Sequence, residues 1–452
     1  MDRASEAVQL MWFSNGFRHG VHPPDSKELT AAVSVRRMPY PKEIALPLRQ
    51  HAGKPAVPIV KPGDRVERGD TIAEPDGWVS VPIHASAAGT VRSIDWWPHP
   101  DGTVAETVLL EVDEFSPQVA RPRLVPRWEG LSPQESVEAV RHAGVVGLGG
   151  AAFPTHVKLL PPEGVEVSTL LVNAAECEPY LTTDHRIMVE YAERVHFGIR
   201  VMMNALGVER TVIGVERNKP DAIERLRATA PDDLDITVEP LTVKYPQGYE
   251  KMLIKSVLGH DVPPGKLPMH VGVVVQNVGS IAAIAEVFET GLPLIERVVT
   301  VTGPGVARPS NLIVPVGAKL RDVLDFCDGL VGDVTEIVFG GPMMGASQPD
   351  LDAPIIKGTT GIVVLTREES RPRHRYPCIQ CGRCLDACPV FLNPSLLGRL
   401  AQAGRYEEMV DEHLDTCMLC GCCSYVCPSN IPLSQMFSLS KAAARKRATK
   451  AA

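Results

Sequence analysis

One cysteine spacing occurs twice near the C-terminus. Cys378, Cys381, Cys384 and Cys388 precede Pro389, and Cys417, Cys420, Cys423 and Cys427 precede Pro428. Thiolates in a C-x2-C-x2-C-x3-C-P run place three sulfurs on one cuboidal iron-sulfur cluster and send the fourth to a neighbouring cluster, as in two-cluster ferredoxins. By that rule Cys378, Cys381, Cys384 and Cys427 hold one [4Fe-4S] cluster, and Cys417, Cys420, Cys423 and Cys388 hold the other. Zinc sites favour paired C-x2-C units, and disulfide frameworks belong to short secreted chains. Cys422 interrupts the second run and competes with Cys423 as a ligand, although the spacing favours Cys423. Cys177 and Cys327 stand apart, where a cysteine is usually a small buried hydrophobe; the neighbours of Cys177 keep its role open.

The stretch from Ser395 to Asp415, between the runs, has a helical pattern and is longer than the link in small β-type ferredoxins. A helical two-cluster module over residues 367–440 is therefore expected, entered through a charged, Pro-containing linker from Thr366 to Pro377.

The remaining chain is long enough for several further cores: 452 residues, 44% hydrophobic and 22% charged, an ordinary globular balance. No run approaches the roughly 18 apolar residues of a spanning helix, and the N-terminus lacks a signal peptide's apolar core. A soluble protein on the cytoplasmic side is expected. A net charge of −8 argues against a general nucleic-acid binder. The exception is the tail, residues 441–452, where Lys441, Arg445, Lys446, Arg447 and Lys450 occur without an acid. It reads either as a surface for anionic lipid or a partner, or as a solvated, frayed terminus.

Short β-branched runs broken by turns fill residues 54–112, including Val57 to Val60, Pro62-Gly63-Asp64, Gly69-Asp70 and Val79 to Ile83. This stretch resembles the half-motifs of lipoyl/biotinyl barrel-sandwich domains. Where a carrier domain has its lysine, this chain has His84-Ala85-Ser86-Ala87, so the unit reads as structural or as a docking surface. A helix begins after Ser132, with Pro133 at its first position and Glu135 completing a capping box, and ends near Gly144.

Next come Gly147, Gly149 and Gly150, then Phe153, Pro154, Thr155 and Lys158. Glycines let backbone amides approach a phosphate, and a nearby lysine adds charge. The loop follows a helix, so it is not the strand-loop-helix dinucleotide fingerprint. Apolar strands at Thr169 to Asn173, Arg210 to Val215, Ile236 to Val243 and Val271 to Val278 alternate with helical patterns at Asp184 to Leu206, Pro220 to Thr229 and Tyr249 to Leu258. That alternation predicts a largely parallel α/β sheet. From Arg297 the pattern turns β-rich, with Val298 to Thr302, Leu312 to Val316 and Glu336 to Phe339 around one helix at Lys319 to Cys327, a compact β-grasp-like unit.

The glycine loop from Gly144 to Thr155, the string Asn173-Ala174-Ala175-Glu176-Cys177-Glu178-Pro179, and Tyr245, Gly248, Glu250 and Asn277 resemble the flavin and NADH site of the NADH-binding subunit of respiratory complex I. Gly20-Val21-His22-Pro23-Pro24, Lys61-Pro62-Gly63-Asp64 and the twin cysteine runs are similar to the C subunit of Rnf complexes, membrane-bound ferredoxin:NAD oxidoreductases that couple electron transfer to ion movement. The resemblance runs from about His19 to Gln435. It implies a multidomain α/β plus β protein: an N-terminal segment and barrel-sandwich hybrid (1–125), a Rossmann-like FMN/NADH domain (126–296), an SLBB β-grasp domain (297–366), the double-cluster domain (367–440) and the basic tail (441–452).

The resemblance further implies FMN, NAD(H) and two [4Fe-4S] clusters as cofactors. Gly147, Gly149, Gly150 and Lys158 would cradle the FMN phosphate, and Asn173, Glu176, Tyr245, Gly248 and Asn277 would line the flavin. Phe153, Glu178 and Glu250 would lie near the nicotinamide nucleotide. No side chain need act as acid or base. The other Rnf subunits would be partners, with ferredoxin reached through them, and the protein would sit peripherally on the cytoplasmic side of the bacterial inner membrane. Read without the resemblance, Glu176, Glu178 and Lys158 are solvated charges, and Asn277 and Tyr245 are satisfied polar residues at sheet edges.

Three departures are visible. Asn173-Ala174-Ala175-Glu176 stands for Asn-Ala-Asp-Glu, Gly149-Gly150-Ala151-Ala152 for Gly-Gly-Ala-Gly, and Gln276-Asn277 for Asn-Asn. They favour one rival, a cluster-bearing adaptor without a nucleotide site. Another rival is a flavoprotein reductase for a different acceptor such as cobalamin; the Gly20 to Pro24 segment and the complete barrel-sandwich pattern favour the Rnf reading.

Overall fold

The computed structural model describes residues 16–119, 128, 130–370 and 374–451, and side chains as far as residue 447. Residues 371–373 of the expected linker and the Lys450 side chain of the tail lie outside this range.

Four strands, Thr169–Ala174, Arg210–Glu216, Asp235–Leu241 and Val273–Asn277, form a wholly parallel sheet in the order third, second, first, fourth. Leu170, Leu171 and Val172 are all fully buried because both faces are covered. Leu170 and Val172 enter the larger core, and Leu171 packs with Leu253 and Ile254 of the helix Glu250–Leu258. The capping box of Ser132 and Glu135 forms as expected and starts the helix Pro133–His142. The expected helix from Asp184 to Leu206 is two helices, Thr183–Glu190 and Ala192–Leu206, separated at Tyr191. A further helix, Val278–Thr290, which the strand-centred reading did not anticipate, follows the fourth strand.

The order of the strands reverses at the first one. Successive strands build away on one side of it, and the fourth is added on the other. Open parallel sheets bind ligands at such a switch point, beyond the carboxyl ends of the strands. Asn173 and Asn277 lie side by side there, paired in register.

The turn-rich N-terminal unit folds into two facing antiparallel sheets. One contains Glu43–Pro47, Val104–Val112, Gly89–Pro98 and Arg65–Val66; the other contains Val57–Pro58, Thr71–Glu74 and Ile83–His84. Ile44, Leu46, Ile72, Ile83 and Leu110 fill the space between. His84 to Ala87, where a carrier lysine would stand, is buried.

The β-grasp unit is larger than its sequence reading. Its sheet has six strands, ordered Val35–Arg37, Ser310–Pro315, Glu296–Thr302, Gly361–Thr366, Val334–Phe339 and Ala346–Ser347. The first comes from the N-terminal segment and pairs in parallel with Ser310–Pro315. That long-range pairing leaves no local periodicity. The spacer between the cysteine runs forms the helices Pro394–Gln402 and Tyr406–Asp411, packed through Leu397, Leu400 and Met409 against Phe437 of the terminal helix Leu433–Ala451.

Helices Ala192–Leu206 and Val278–Thr290 meet so closely at Gly198 that a Cβ there would stand 2.2 Å from the Ile281 carbonyl oxygen. Gly198→Ala should therefore force the pair apart and cost about 1–3 kcal/mol. Denaturant unfolding followed by circular dichroism measures the loss, and an unchanged midpoint would contradict the close-packing argument.

Candidate functional site

The glycine loop is tied shut at its base and open at its tip. Gly147 donates its amide to the Phe153 carbonyl at 2.8 Å, Ala152 donates to Gly147 at 3.1 Å, and Val146 bridges to Pro154. The Leu148 amide donates to Ser280 Oγ at 2.8 Å, and Arg297 Nη2 donates to the Leu148 carbonyl at 3.1 Å. Gly149, Gly150 and Ala151 are exposed, and no acceptor for their amides is found among the described residues. Gly150 has φ +102°, a conformation that suits glycine. Such a row of free amides is an anion-binding nest. Gly149 lies against Asn277, which caps the helix Val278–Thr290 by accepting from Gly279 and Ser280. Ala152 keeps the loop closed where the family pattern has glycine.

A carboxylate network occupies the switch point. Asn173 Nδ2 donates to the Gly248 carbonyl at 2.7 Å, and its Oδ1 accepts from the Ala175 amide. Glu176 Oε1 accepts from the Asp184 amide at 2.8 Å, and Asp184 Oδ2 accepts from Asn277 Nδ2 at 2.7 Å. Lys27 is buried beneath, 3.9 Å from Glu176 Oε2, and donates to the carbonyls of Glu178 and Leu181. Glu178 Oε2 accepts from the Met343 amide at 3.0 Å. Burial pushes the Glu178 carboxyl up to about 7. Burial, then the charge of Glu176, raises Asp184 as well. Glu176 Oε2 and Glu178 Oε1 are buried without a hydrogen-bond partner among the described residues. A polar ligand beside them would answer that deficit.

Other expected residues serve differently. Lys158 Nζ is paired with Glu250 Oε2 at 3.2 Å and bonded to the Val275 carbonyl, so its charge is already engaged. Gly248 has no room for a side chain, since a Cβ would come within 2.4 Å of the Ala175 carbonyl oxygen. Its amide donates to Cys177 Sγ at 3.2 Å, and burial raises that thiol. Tyr245 is buried and turns to the cysteine module, donating its hydroxyl to the Cys420 carbonyl at 2.8 Å. Asp184, Lys27 and Arg297 were not anticipated. Asp184 had a signal, its place five residues after Pro179 at a helix start; the other two act through contacts across more than fifty residues.

The cysteines fall into two quartets. Burial raises the Cys384 thiol, and the like charges of Cys427, Cys378 and Cys381 add to it. Burial likewise raises Cys423, with Cys420, Cys417 and Cys388 contributing, and pushes Cys417 up to about 11. Cys427 thus has the thiols of the first run as charge neighbours, and Cys388 those of the second. Cys422 hydrogen-bonds to Cys420, which raises Cys422 and lowers Cys420. Among the described residues no three His, Cys, Asp or Glu side chains converge as ligands of one metal ion, whereas a cuboidal cluster takes one thiolate on each iron.

The quartet of Cys388, Cys417, Cys420 and Cys423 is the inner one. Tyr245 reaches it from the α/β unit, Met343 of the β-grasp unit lies where a Cβ on Gly421 would come within 2.9 Å of its carbonyl oxygen, and His19 Nδ1 is 3.2 Å from the Cys388 carbonyl oxygen. Cys378 and Cys381 of the other quartet are exposed.

Four family models match along the chain: the RnfC barrel sandwich hybrid domain over residues 15–115, the Nuo51 FMN-binding domain over 140–286, the SLBB domain over 298–347 and a 4Fe-4S dicluster domain over 375–431. The C subunit of the proton-translocating ferredoxin:NAD(+) oxidoreductase complex of Clostridium ljungdahlii is 44% identical over 397 residues, covering 88% of this chain and 87% of that protein. The chain belongs to the RnfC family. The Na(+)-translocating counterpart from Acetobacterium woodii is 42% identical, covering 87% of this chain and 88% of that protein. The C subunit of the ion-translocating oxidoreductase complex of Rhodobacter capsulatus is 41% identical, covering 95% of this chain and 83% of that protein. In this RnfC chain no helix of the described residues is long and apolar enough to cross a membrane.

Because the folded state keeps a proton on Glu178 up to about pH 7 that the unfolded chain releases near 4.5, this group stabilises the fold fully below 4.5 and loses that contribution as pH rises through 7. Glu178→Gln should flatten the decline by about 3 kcal/mol across that window, leaving the share of Asp184. Thermal melts from pH 5 to 8 measure the slope; an unchanged slope would move the titration to other groups.

Proposed function

We propose that this chain is the peripheral electron-transfer subunit of a membrane-bound Rnf-type complex, exchanging electrons between NAD(H), FMN and two [4Fe-4S] clusters. On this reading it lies on the cytoplasmic side of the bacterial inner membrane, and partner subunits link its clusters to ferredoxin and to ion translocation. The observation that carries the reading is the junction of an amide-lined loop at a sheet switch point with a cysteine quartet, bridged by the Tyr245 hydroxyl and the Met343–Gly421 contact.

FMN, when bound, supplies the exchange between a nicotinamide's electron pair and the single electrons that clusters accept. The chain's own residues bind and orient. Gly149 and Gly150 offer amides to the phosphate and Gly147 closes the base of their loop, with Lys158 nearby. Asn173, Glu176, Gly248 and Asn277 shape the flavin wall, while Tyr245 fixes that wall to the inner quartet. Glu178, Glu250 and Phe153 border the nicotinamide side. Burial brings the Glu178 carboxyl to about 7, so that side exchanges a proton near neutral pH. The order flavin, inner quartet, outer quartet, partner follows from burial: the inner cysteines meet the α/β unit, and the outer ones meet solvent.

The test is anaerobic purification with flavin and iron quantified and NADH oxidation followed with an artificial one-electron acceptor. Bound FMN, about eight irons per chain and NADH-dependent reduction are expected; iron without flavin or NADH oxidation would leave only the adaptor. Gly149→Val should lose flavin and keep iron, and flavin retention would remove the loop from the site. Cys427→Ser should disturb the cluster of Cys378, Cys381 and Cys384, and damage confined to the other cluster would overturn the crossed ligation.

A further inference from the structure

The terminal helix Leu433–Ala451 is held down by Leu433 and Phe437, both buried against the helices of the spacer. Steps of four residues keep side chains on one helix face. Lys441 is the next step after Phe437. It is half-buried, and its ammonium donates to the Asp415 carbonyl at 3.1 Å and to the carbonyl of Cys417, the first cysteine of the second run. Of the tail's basic residues, then, this one is spent inside the protein and not on a lipid surface.

We propose that Lys441 is a positioning residue that sets the reduction potential of the inner cluster. The proposal rests on the reading that Cys388, Cys417, Cys420 and Cys423 hold a [4Fe-4S] cluster. Reduction adds one negative charge to a cluster, and a cation fixed against a ligand's backbone stabilises that charge. Three of the four cysteines here are buried, while Cys417 and Lys441 are half-buried, so water screens the interaction only in part. Local net charge is one of the recognised controls of cluster potential, alongside solvent exposure and hydrogen bonds to the sulfurs; Lys441 acts through its charge, since its own hydrogen bonds go to carbonyl oxygens. The inner cluster, which by its place receives electrons from the flavin side, is thereby made the better acceptor.

The test uses the full chain, loaded and titrated anaerobically, with the reduced clusters followed by electron paramagnetic resonance. The signal lost in Cys381→Ser identifies the outer cluster, whichever cluster Cys427 serves. Lys441→Met keeps length and removes charge; it should retain iron and lower the reduction equilibrium of the inner cluster alone by about tenfold, which is 59 mV for a one-electron couple. Lys441→Arg should restore the wild-type potential. An inner potential unchanged in Lys441→Met would overturn the proposal. So would equal shifts in the Met and Arg variants, or loss of inner-cluster iron in both, since either result describes a mechanical clamp. Absence of iron from this quartet in the wild-type chain would instead overturn the underlying cluster reading.

Discussion

Three buried cations, each bonded to carbonyl oxygens of distant segments, hold the parts of this protein in one arrangement. Lys27 of the N-terminal segment donates to Glu178 and Leu181, Arg297 of the β-grasp sheet donates to Leu148 and Thr359, and Lys357 donates to Pro82 and Gly144. A buried charge without partners costs several kcal/mol. Only one docking of the barrel-sandwich, α/β and β-grasp units supplies all these carbonyls. Burial pushes Lys357 down to about 7, yet the amine still donates in either form. Gly144 is required beneath it, because a Cβ there would stand 2.5 Å from Lys357 Nζ.

Those same bonds shape the site. Arg297 grips the loop at Leu148 while the tip from Gly149 to Ala151 stays open, so the nest is rigid at its base and free where a phosphate would enter. Lys27 fixes the peptide carrying Glu178, and the Met343 amide fixes its carboxylate. The acids of the switch point are therefore oriented by groups from three units. Ala175, where the family pattern carries a carboxylate, removes one negative charge from a region already holding Glu176, Glu178 and Asp184. Crowded buried carboxylates cannot all ionise, so its loss eases repulsion without opening the network.

What the sequence made legible was whatever a local rule encodes. The capping box at Ser132, the parallel alternation and the open loop after the first helix all follow from patterns over short stretches. The missed features depend on tertiary contact. Val35–Arg37 becomes a strand only because Ser310–Pro315 lies beside it, and Lys27 and Arg297 matter only through carbonyls more than fifty residues away. Tyr245 and Lys158 show the opposite error. The complex I pattern put both among the site residues, but their partners, Cys420 and Glu250, are set by packing that a motif does not record. The basic tail divided similarly: charge count favoured a free surface, while the Leu433, Phe437, Lys441 stripe commits one of its cations to the interior.

The cysteine module is fastened from several directions at its inner quartet, by Gly20 on Ala387, His19 on Cys388, Tyr245 on Cys420 and Met343 against Gly421. A diffusing ferredoxin has no use for such anchorage, since it must leave each partner. A fixed relay does, because its inner centre must keep one distance from the flavin site through every turnover. The exposed Cys378 and Cys381 lie at the other end, beside the exposed side chains of Tyr376 and Ile379 in the chain. On the proposed reading the two ends differ in dielectric as well as position. A nearby charge tunes the buried cluster strongly, while water screens such effects at the outer one. The potential of the inner step is then written into this chain, and that of the outer step is completed by whichever partner covers it.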